Sequence, residues 1–386
     1  MRRRGLPNGV KGALRAGAAF LVVAGLVGVP VTTGTAATTD ALQRRTQAQL
    51  ASFTNWLAAG GQAGHGYIGE VGWPADDSRW AALATAWYRQ ADQAWLWTSA
   101  WAAGEWWPST YPLAIYSADG NQLTGPRPQA AIVEAQAYRK RSVNMAGAEF
   151  GAPSPTQAMS TTFSSNRPGA VGVDYRWPNP SSFTYLAARG ITTVRVPFRW
   201  ERIQPGVGGP LASAELTRLA STIDAAHAAG IEVILDLHNY GAYWAADQWG
   251  TGWRKPLSLT GWLRADHLAD VWRRLSEALA GRPGLIGYGI MNEPVSMPGG
   301  TATWERASQL AVSAIRSRGD PTNVMVAGYN WSGPASFAQE HPGGPWIVDP
   351  AGHTFYEAHH YFDCDGSGKY ASGYDATVSC AASQGW

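Results

Sequence analysis

Residues 213–238 read Ser-Ala-Glu-Leu-Thr-Arg-Leu-Ala-Ser-Thr-Ile-Asp-Ala-Ala-His-Ala-Ala-Gly-Ile-Glu-Val-Ile-Leu-Asp-Leu-His. The first part has helical character over Ser213–Ala229, Gly230 stops it, and Glu232–His238 is a β-rich run ending in a histidine. Helix, glycine, strand and polar tip recur on both sides. Upstream, a helix over Ser181–Arg189 stops at Gly190 before a strand over Thr192–Pro197, and Met145–Phe150 reads as the strand before it. Downstream come a helix over Arg264–Leu279, a strand over Leu285–Asn292, a helix over Thr303–Arg318 and a strand over Val324–Gly328. A weak helix near Phe337 and a last strand over Phe355–Tyr361 follow. At the front, Ala41–Ala59 reads as a helix ended by Gly60-Gly61, and Tyr67–Glu70 as a short strand. Ser78 caps a helix with Trp80, Leu83, Ala84 and Trp87 on one face. Ala94–Trp101 is a strand, 102–126 a loop and Pro128–Arg139 helical.

Eight strands alternating with helices imply parallel pairing through crossovers, hence an α/β fold. The expected architecture is a single (β/α)8 barrel over residues 38–386. An open doubly wound sheet would favour a glycine-rich phosphate loop after the first strand, and none is present. Most strands carry a polar, charged or aromatic residue at or near their ends: Glu70, Trp101, Glu149, Arg195, His238, Asn292-Glu293, His359 and Tyr361. Strand tips converging on one face are how barrels build active sites.

Composition narrows the function. The 386 residues are 45% hydrophobic and only 15% charged, with 20 Trp. Trp on a surface calls for a flat partner such as a sugar ring or a base. A formal charge of +2 with no basic run in the body of the chain argues against nucleic acid. Arg2, Arg3, Arg4, Lys11 and Arg15, then the uncharged apolar run Ala16–Val31 and the small residues Thr35-Ala36-Ala37, have the order of a signal peptide over 1–37. Its removal takes five of the 30 basic residues, leaving 25 against 28 acidic ones. An uncleaved anchor is the alternative, but the run is shorter than a usual span. The expectation is secretion, no membrane contact after processing, and a monomer. In an exported chain Cys364 and Cys380, within one Gly/Ser/Asp-rich loop, read as a disulfide.

The densest chemical signal is Gly289-Ile-Met-Asn-Glu-Pro294. A Glu at a strand tip, behind Asn and before Pro, suits a general acid whose carboxyl is aimed into a cleft.

With five further segments this stretch resembles glycoside hydrolase family 5, the cellulase family of clan A. They are Thr-Val-Arg-Val-Pro-Phe-Arg-Trp (193–200), Leu-Asp-Leu-His-Asn-Tyr (235–240), Tyr-Glu-Ala-His-His-Tyr-Phe-Asp (356–363), Gly-Glu-Val-Gly-Trp-Pro (69–74) and Trp-Ala-Ala-Gly-Glu-Trp-Trp (101–107). The resemblance implies a retaining endo-β-1,4-glucanase with Glu293 as acid/base and Glu70 as nucleophile. It implies that Arg195, His238, Asn239, Asn292, His359 and Tyr361 surround the reacting sugar, with Trp101 as its stacking floor and Glu149 as a substrate contact. The partner is then a β-linked polysaccharide. A β-mannanase or other β-glycanase with the same site is the nearest alternative, and a non-catalytic polysaccharide-binding barrel a further one. No cofactor is implied; His238, His353, His359 and His360 lack a metal-ligand pattern.

The segment order departs from the family. There the nucleophile strand is seventh, after Asn-Glu-Pro; here Gly69-Glu70 comes first. The resemblance therefore implies a circular permutation, with the family's seventh and eighth strands at the front and residues 127–145 joining the old ends. The alternative is a truncated barrel with an unrelated N-terminal piece. The chemistry is expected to follow the two-carboxylate retaining scheme: Glu293 starts protonated, and Arg195 with Tyr361 holds Glu70 ionised. Among the other acids, Glu105 reads as a loop residue and Glu201 as structural. Trp87, Trp272 and Trp304 read as packing, and Trp73, Trp106, Trp107, Tyr240, Trp244 and Trp331 as rings over a cleft.

Overall fold

A computed structural model describes residues 40–135, 140–152, 167–246 and 252–386. The leader expected over 1–37 lies outside the described residues, as do 136–139 of the Pro128–Arg139 helix. The eight strands are β1 (Gly66–Gly72), β2 (Trp97–Ala103), β3 (Arg141–Met145), β4 (Thr193–Phe198), β5 (Glu232–Leu237), β6 (Leu285–Gly289), β7 (Asn323–Ala327) and β8 (Thr354–Tyr361). They close into one barrel in the order β1-β8-β7-β6-β5-β4-β3-β2, all pairs parallel. The first strand thus pairs with the last, with Glu70 in register with His359 and Gly72 with Tyr361.

The helices enclose the ring because each carries one apolar stripe. In the helix Ala265–Leu279, Leu268, Val271, Trp272, Leu275 and Leu279 are buried at three- and four-residue spacing. The helix Ser78–Gln93 buries Trp80, Leu83, Ala84, Trp87, Tyr88 and Ala91 in the same way. Its cap is Asp77, whose side chain accepts from the Arg79 N–H, with Ser78 the first helical residue instead of the cap. Gly190 and Gly230, with φ of 81° and 78°, end the helices before β4 and β5 in the left-handed conformation that glycine adopts without strain.

Three expectations shift. The strand expected over Met145–Phe150 is Arg141–Met145, and Ala146–Glu149 is a turn. Ser142 and Asn144 face polar partners inside the barrel while Val143 and Met145 pack outward, so this strand is not the continuous apolar run that a strand buried on both faces usually shows. The 102–126 loop contains an antiparallel ribbon, Tyr116–Ala118 with Leu123–Pro126. The C-terminal loop ends in the helix Tyr374–Ser383, packed against Ala41–Ala59 through buried Tyr374, Thr377 and Ala381. Cys380 lies on that helix and is bonded to Cys364 in the preceding loop. Among the described residues no helix is long and apolar enough to cross a membrane.

Candidate active site

The barrel interior is layered. Tyr67, Ile234, Met325 and Phe355 form an apolar cluster of their own. Above it the filling turns polar: the Tyr67 hydroxyl bonds Ser99 at 2.6 Å, and Ser99 bonds Ser142. Arg195, wholly buried on β4, occupies the middle. Its guanidinium pairs with Glu70 Oε1 (3.1 Å), Asp236 Oδ1 (3.0 Å) and Glu357 Oε1 (3.1 Å) and donates to the side-chain oxygens of Asn144 (2.8 Å) and Asn292 (2.7 Å). Three carboxyl groups thus surround one fixed cation; burial, together with this excess of acid over base, raises Asp236 to about 7.

Glu70 stands over Arg195 at the tip of β1. Tyr361 donates to its Oε2 at 2.7 Å, so both oxygens are held. Glu293 follows β6 with φ of 41°, a left-handed conformation for a non-glycine residue and a strain of about 1–3 kcal/mol that the surrounding structure must hold. His359 reaches Glu293 Oε1 through Nδ1 at 2.7 Å and Glu357 Oε1 through Nε2 at 3.0 Å, and its Nδ1 lies 3.7 Å from Glu70 Oε2. Gly69 makes this possible: any Cβ there would overlap the Glu357 carboxylate and the His359 ring.

Electrostatics follow from burial and neighbours. Burial raises Glu70, and Glu293 adds to this, while His359 and Arg195 pull it down; the net shift is upward. The sequence reading has Arg195 and Tyr361 holding Glu70 ionised; desolvation opposes them and is the larger effect. Burial lowers His359, but Glu70 and the hydrogen bonds to Glu293 and Glu357 outweigh it and lift the imidazole to about 10. Burial also raises Glu357, yet Arg195 and His359 hold it below the usual carboxylate range. His238 is driven well down by burial, so its ring is neutral.

The cleft above has a volume of about 350 Å³. Glu70, Glu293, His238, Tyr361, Trp101 and Glu149 all line it. Trp101 is half-buried, stacks on the His238 ring at 5.8 Å and donates from Nε1 to Tyr111 at 2.9 Å. The other expected contacts sit behind this wall. Asn292 is wholly buried, with Nδ2 3.3 Å from His238 Nε2. Asn239 does not face the cleft: its amide is bound to Glu201 (2.9 Å), the Ala242 carbonyl and the Trp200 N–H. A buried Glu201, paired with Arg199, needs those donors, which is why Asn239 turns to it.

Among the aromatics, Trp107 and Tyr240 line the cleft, Trp106 stacks on Phe150 at 4.9 Å, and Trp331 is 42% exposed at 5.9 Å from Tyr240. Trp73 and Trp244 are buried and do not line the cleft, Trp73 packing against Tyr88 and Phe362. Glu105 is buried and accepts from Ser182 and the Asn179 N–H, a tie from its loop to the start of the helix Pro180–Ala188.

Sequence reasoning passes over Asp236 and Glu357. Each lies two residues before a strand-tip histidine, and a period of two puts both members of a pair on the same side of the strand. Asp236 binds His238 Nδ1 at 2.6 Å, as Glu357 binds His359. That spacing is a signal available in Asp-Leu-His and Glu-Ala-His. Ser367, Gly368 and Lys369 enter the cleft wall from the loop before Cys380, with no comparable signal. Glu70, Glu293 and His359 bring one oxygen or ring nitrogen each within 4.8 Å of one another, but a cation there would need the His359 ring deprotonated, against its upward shift.

The family model for Cellulase (glycosyl hydrolase family 5) matches residues 143–385. The chain belongs to glycoside hydrolase family 5. Among curated family relatives, Manganese dependent endoglucanase Eg5A of Phanerodontia chrysosporium is 31% identical over 201 residues, 50% of this chain and 48% of that one. Endo-beta-1,4-glucanase A of Emericella nidulans is 28% identical over 244 residues, 63% of this chain and 66% of its own. The chain thus spans about half to two thirds of the length of these relatives. The barrel also resembles the solved endoglucanase Cel5A of Pseudomonas stutzeri in complex with cellobiose, at 37% identity and a TM-score of 0.51 over 61% of this chain and 63% of that one. An endo-beta-1,4-glucanase of Xanthomonas axonopodis pv. citri aligns at 33% identity and a TM-score of 0.50, over 59% and 67% of the two chains. The family match begins after Glu70, so that residue and its strand lie outside it.

Proposed function

We propose that the protein is a secreted, retaining endo-β-1,4-glucanase in which Glu293 is the acid/base and Glu70 the nucleophile. One observation carries the reading: a carboxylate oxygen of each glutamate and His359 Nδ1 lie within 4.8 Å of one another at the floor of an aromatic cleft. A short carboxylate separation, about 5–5.5 Å between the two groups, is the retaining geometry, whereas inversion needs about 6.5–9.5 Å to admit a water.

In the first step Glu70 attacks the anomeric carbon as a carboxylate while Glu293 delivers its proton to the glycosidic oxygen, so the leaving chain departs as an alcohol and an ester to Glu70 remains. In the second step Glu293 takes a proton from water, the hydroxide attacks the same carbon, and Glu70 leaves as carboxylate. Arg195 and Tyr361 hold the two Glu70 oxygens, which fixes the nucleophile's aim and stabilises the carboxylate on its return. Trp101 offers a flat apolar face to the sugar bound there.

We read the strand order as a circular permutation of the family barrel. The family match over 143–385 runs from β3 to the C-terminus, and β1 pairs with β8, where a seventh strand beside a sixth would lie. A closed ring accepts this because its strands have no marked start. The identity of the substrate is tested by a product profile on cellulose, mannan, xyloglucan and mixed-linkage glucan, with anomeric configuration followed by NMR. Cello-oligosaccharides released first as the β-anomer support the proposal; α-anomers overturn retention, and release from mannan alone overturns the glucanase reading.

A further inference from the structure

Glu149 is the buried acid that the two-carboxylate scheme does not use. It lies in the turn after β3, is 5% exposed, and lines the cleft beside Phe150 and Trp107. Its Oε2 accepts from the Gly147 N–H at 2.7 Å. Its Oε1 has no hydrogen-bond partner among the described residues. A buried polar atom without a partner is costly, and at a cleft wall a ligand can complete it.

We propose that Glu149 recognises the glycan as a neutral carboxylic acid, donating a hydrogen bond from Oε1 to a sugar oxygen. This rests on the reading of the cleft as a glycan site and adds the chemical form of one of its contacts.

The surroundings favour the neutral form. Arg199 donates to the Glu149 main-chain carbonyl at 3.4 Å and pairs with Glu201. Arg202 donates to the main-chain carbonyls of Ala148 and Phe150. Asp236 and Glu70, the acids that face it, disfavour a further negative charge, and the buried phenols of Tyr111 and Tyr240 stay neutral. Burial lifts the carboxyl to about 8, with the Gly147 N–H opposing. A protonated carboxyl has one O–H donor and keeps an acceptor; a carboxylate only accepts. Sugar hydroxyls donate as well as accept and can meet either form, but ring and glycosidic oxygens only accept, and only the acid form can donate to them. Ionisation removes that donor and leaves a buried negative charge near Asp236 and Glu70.

The experiment compares KM for cellopentaose in wild type, Glu149→Gln and Glu149→Ala from pH 6 to pH 9.5. With binding confined to the protonated form, KM in wild type should rise about tenfold by pH 9. Glu149→Gln keeps an N–H donor at the same place; its KM should lie within about threefold of the wild-type value at pH 6 and not rise with pH. Glu149→Ala should show a raised KM at every pH. A flat wild-type KM, the same alkaline rise in Glu149→Gln, or a Glu149→Gln KM as poor as that of Glu149→Ala overturns the proposal. An infrared difference titration of wild type against Glu149→Gln reads the protonated carboxyl without substrate, so it separates this inference from the glucanase reading. A carboxylic-acid band assigned to Glu149 that disappears around pH 8 supports it, and its absence at pH 6 overturns it.

Discussion

Glu70 and His359 are register partners on adjacent parallel strands, the first and the last of the barrel. Through His359 the Glu70 strand meets Glu293, whose Oε1 accepts from the same imidazole. The acid of the leading strand and the acid after β6 thus share one histidine, an arrangement that ring closure makes and chain order hides.

If Glu70 is the nucleophile, a 2-deoxy-2-fluoro cellobioside with a good leaving group should inactivate the protein with one covalent label. Peptide mapping should find the label on Glu70, and Glu70→Gln should neither turn over cellulose nor take the label. A label on Glu149 would transfer the role to that residue.

Glu293→Ala should lose about 10²- to 10⁴-fold in turnover of unactivated glucan, the usual contribution of general acid–base catalysis. Activated aryl glycosides, which need no proton on departure, should lose far less. Azide should restore rate through a β-glycosyl azide, because a small anion can enter where the carboxylate stood. Normal cellulose hydrolysis by this variant would sink the assignment.

A chain rebuilt in the family order, residues 140–386 followed by 40–135, should fold to the same barrel and keep cellulase activity. The new junction would follow the Tyr374–Ser383 helix, which packs on Ala41–Ala59. Loss of activity in a folded rebuilt chain would contradict the permuted reading.

The Cys364–Cys380 bridge closes a loop of 16-residue separation. Chain-entropy reasoning gives about 3 kcal/mol for a loop of that size, so the double Cys→Ser variant should lose stability of that order in denaturant unfolding. Unchanged stability would mean that Asp363 holds the loop unaided, through its contacts to Ser367 and the Gly368, Lys369 and Tyr370 N–H groups.

His360 is buried, accepts from Trp87 Nε1 at 2.9 Å, and is pushed down to about 3, mainly by burial and then by Arg45. A folded pKa below the ordinary value near 6.5 means that the unfolded chain binds the proton first. The stability this contributes is present above pH 6.5 and is lost as pH falls toward 3. Urea unfolding at pH 7 and pH 4 should show a smaller acid loss in His360→Gln than in wild type; an equal loss would clear His360 of the effect.

Much of the fold is legible because its signals are local. Glu232–Leu237 and Thr193–Phe198 are apolar runs behind glycine stops, and a strand buried on both faces needs little more. Arg141–Met145 is harder to place, since its inward residues are the polar Ser142 and Asn144, whose partners Ser99 and Arg195 come from other strands. The helix carrying Cys380 is hidden for a related reason: its Ser, Gly and Asp surroundings read as loop, and it is held by packing on the first helix.

The sequence by itself determined which residues stand at strand tips, because period two, helix stops and the Asn-Glu-Pro turn are written in near neighbours. It therefore named Glu70, Glu293, His238 and His359 as tip residues. Only the tertiary structure decided which tips meet and which side chains turn away. Arg195 gathers Glu70, Asp236 and Glu357, Asn239 turns to Glu201 instead of the cleft, and Glu149 keeps one oxygen unpartnered at the wall. These outcomes depend on the stagger of a closed ring and on which buried charge lies nearest, and no stretch of chain encodes either alone.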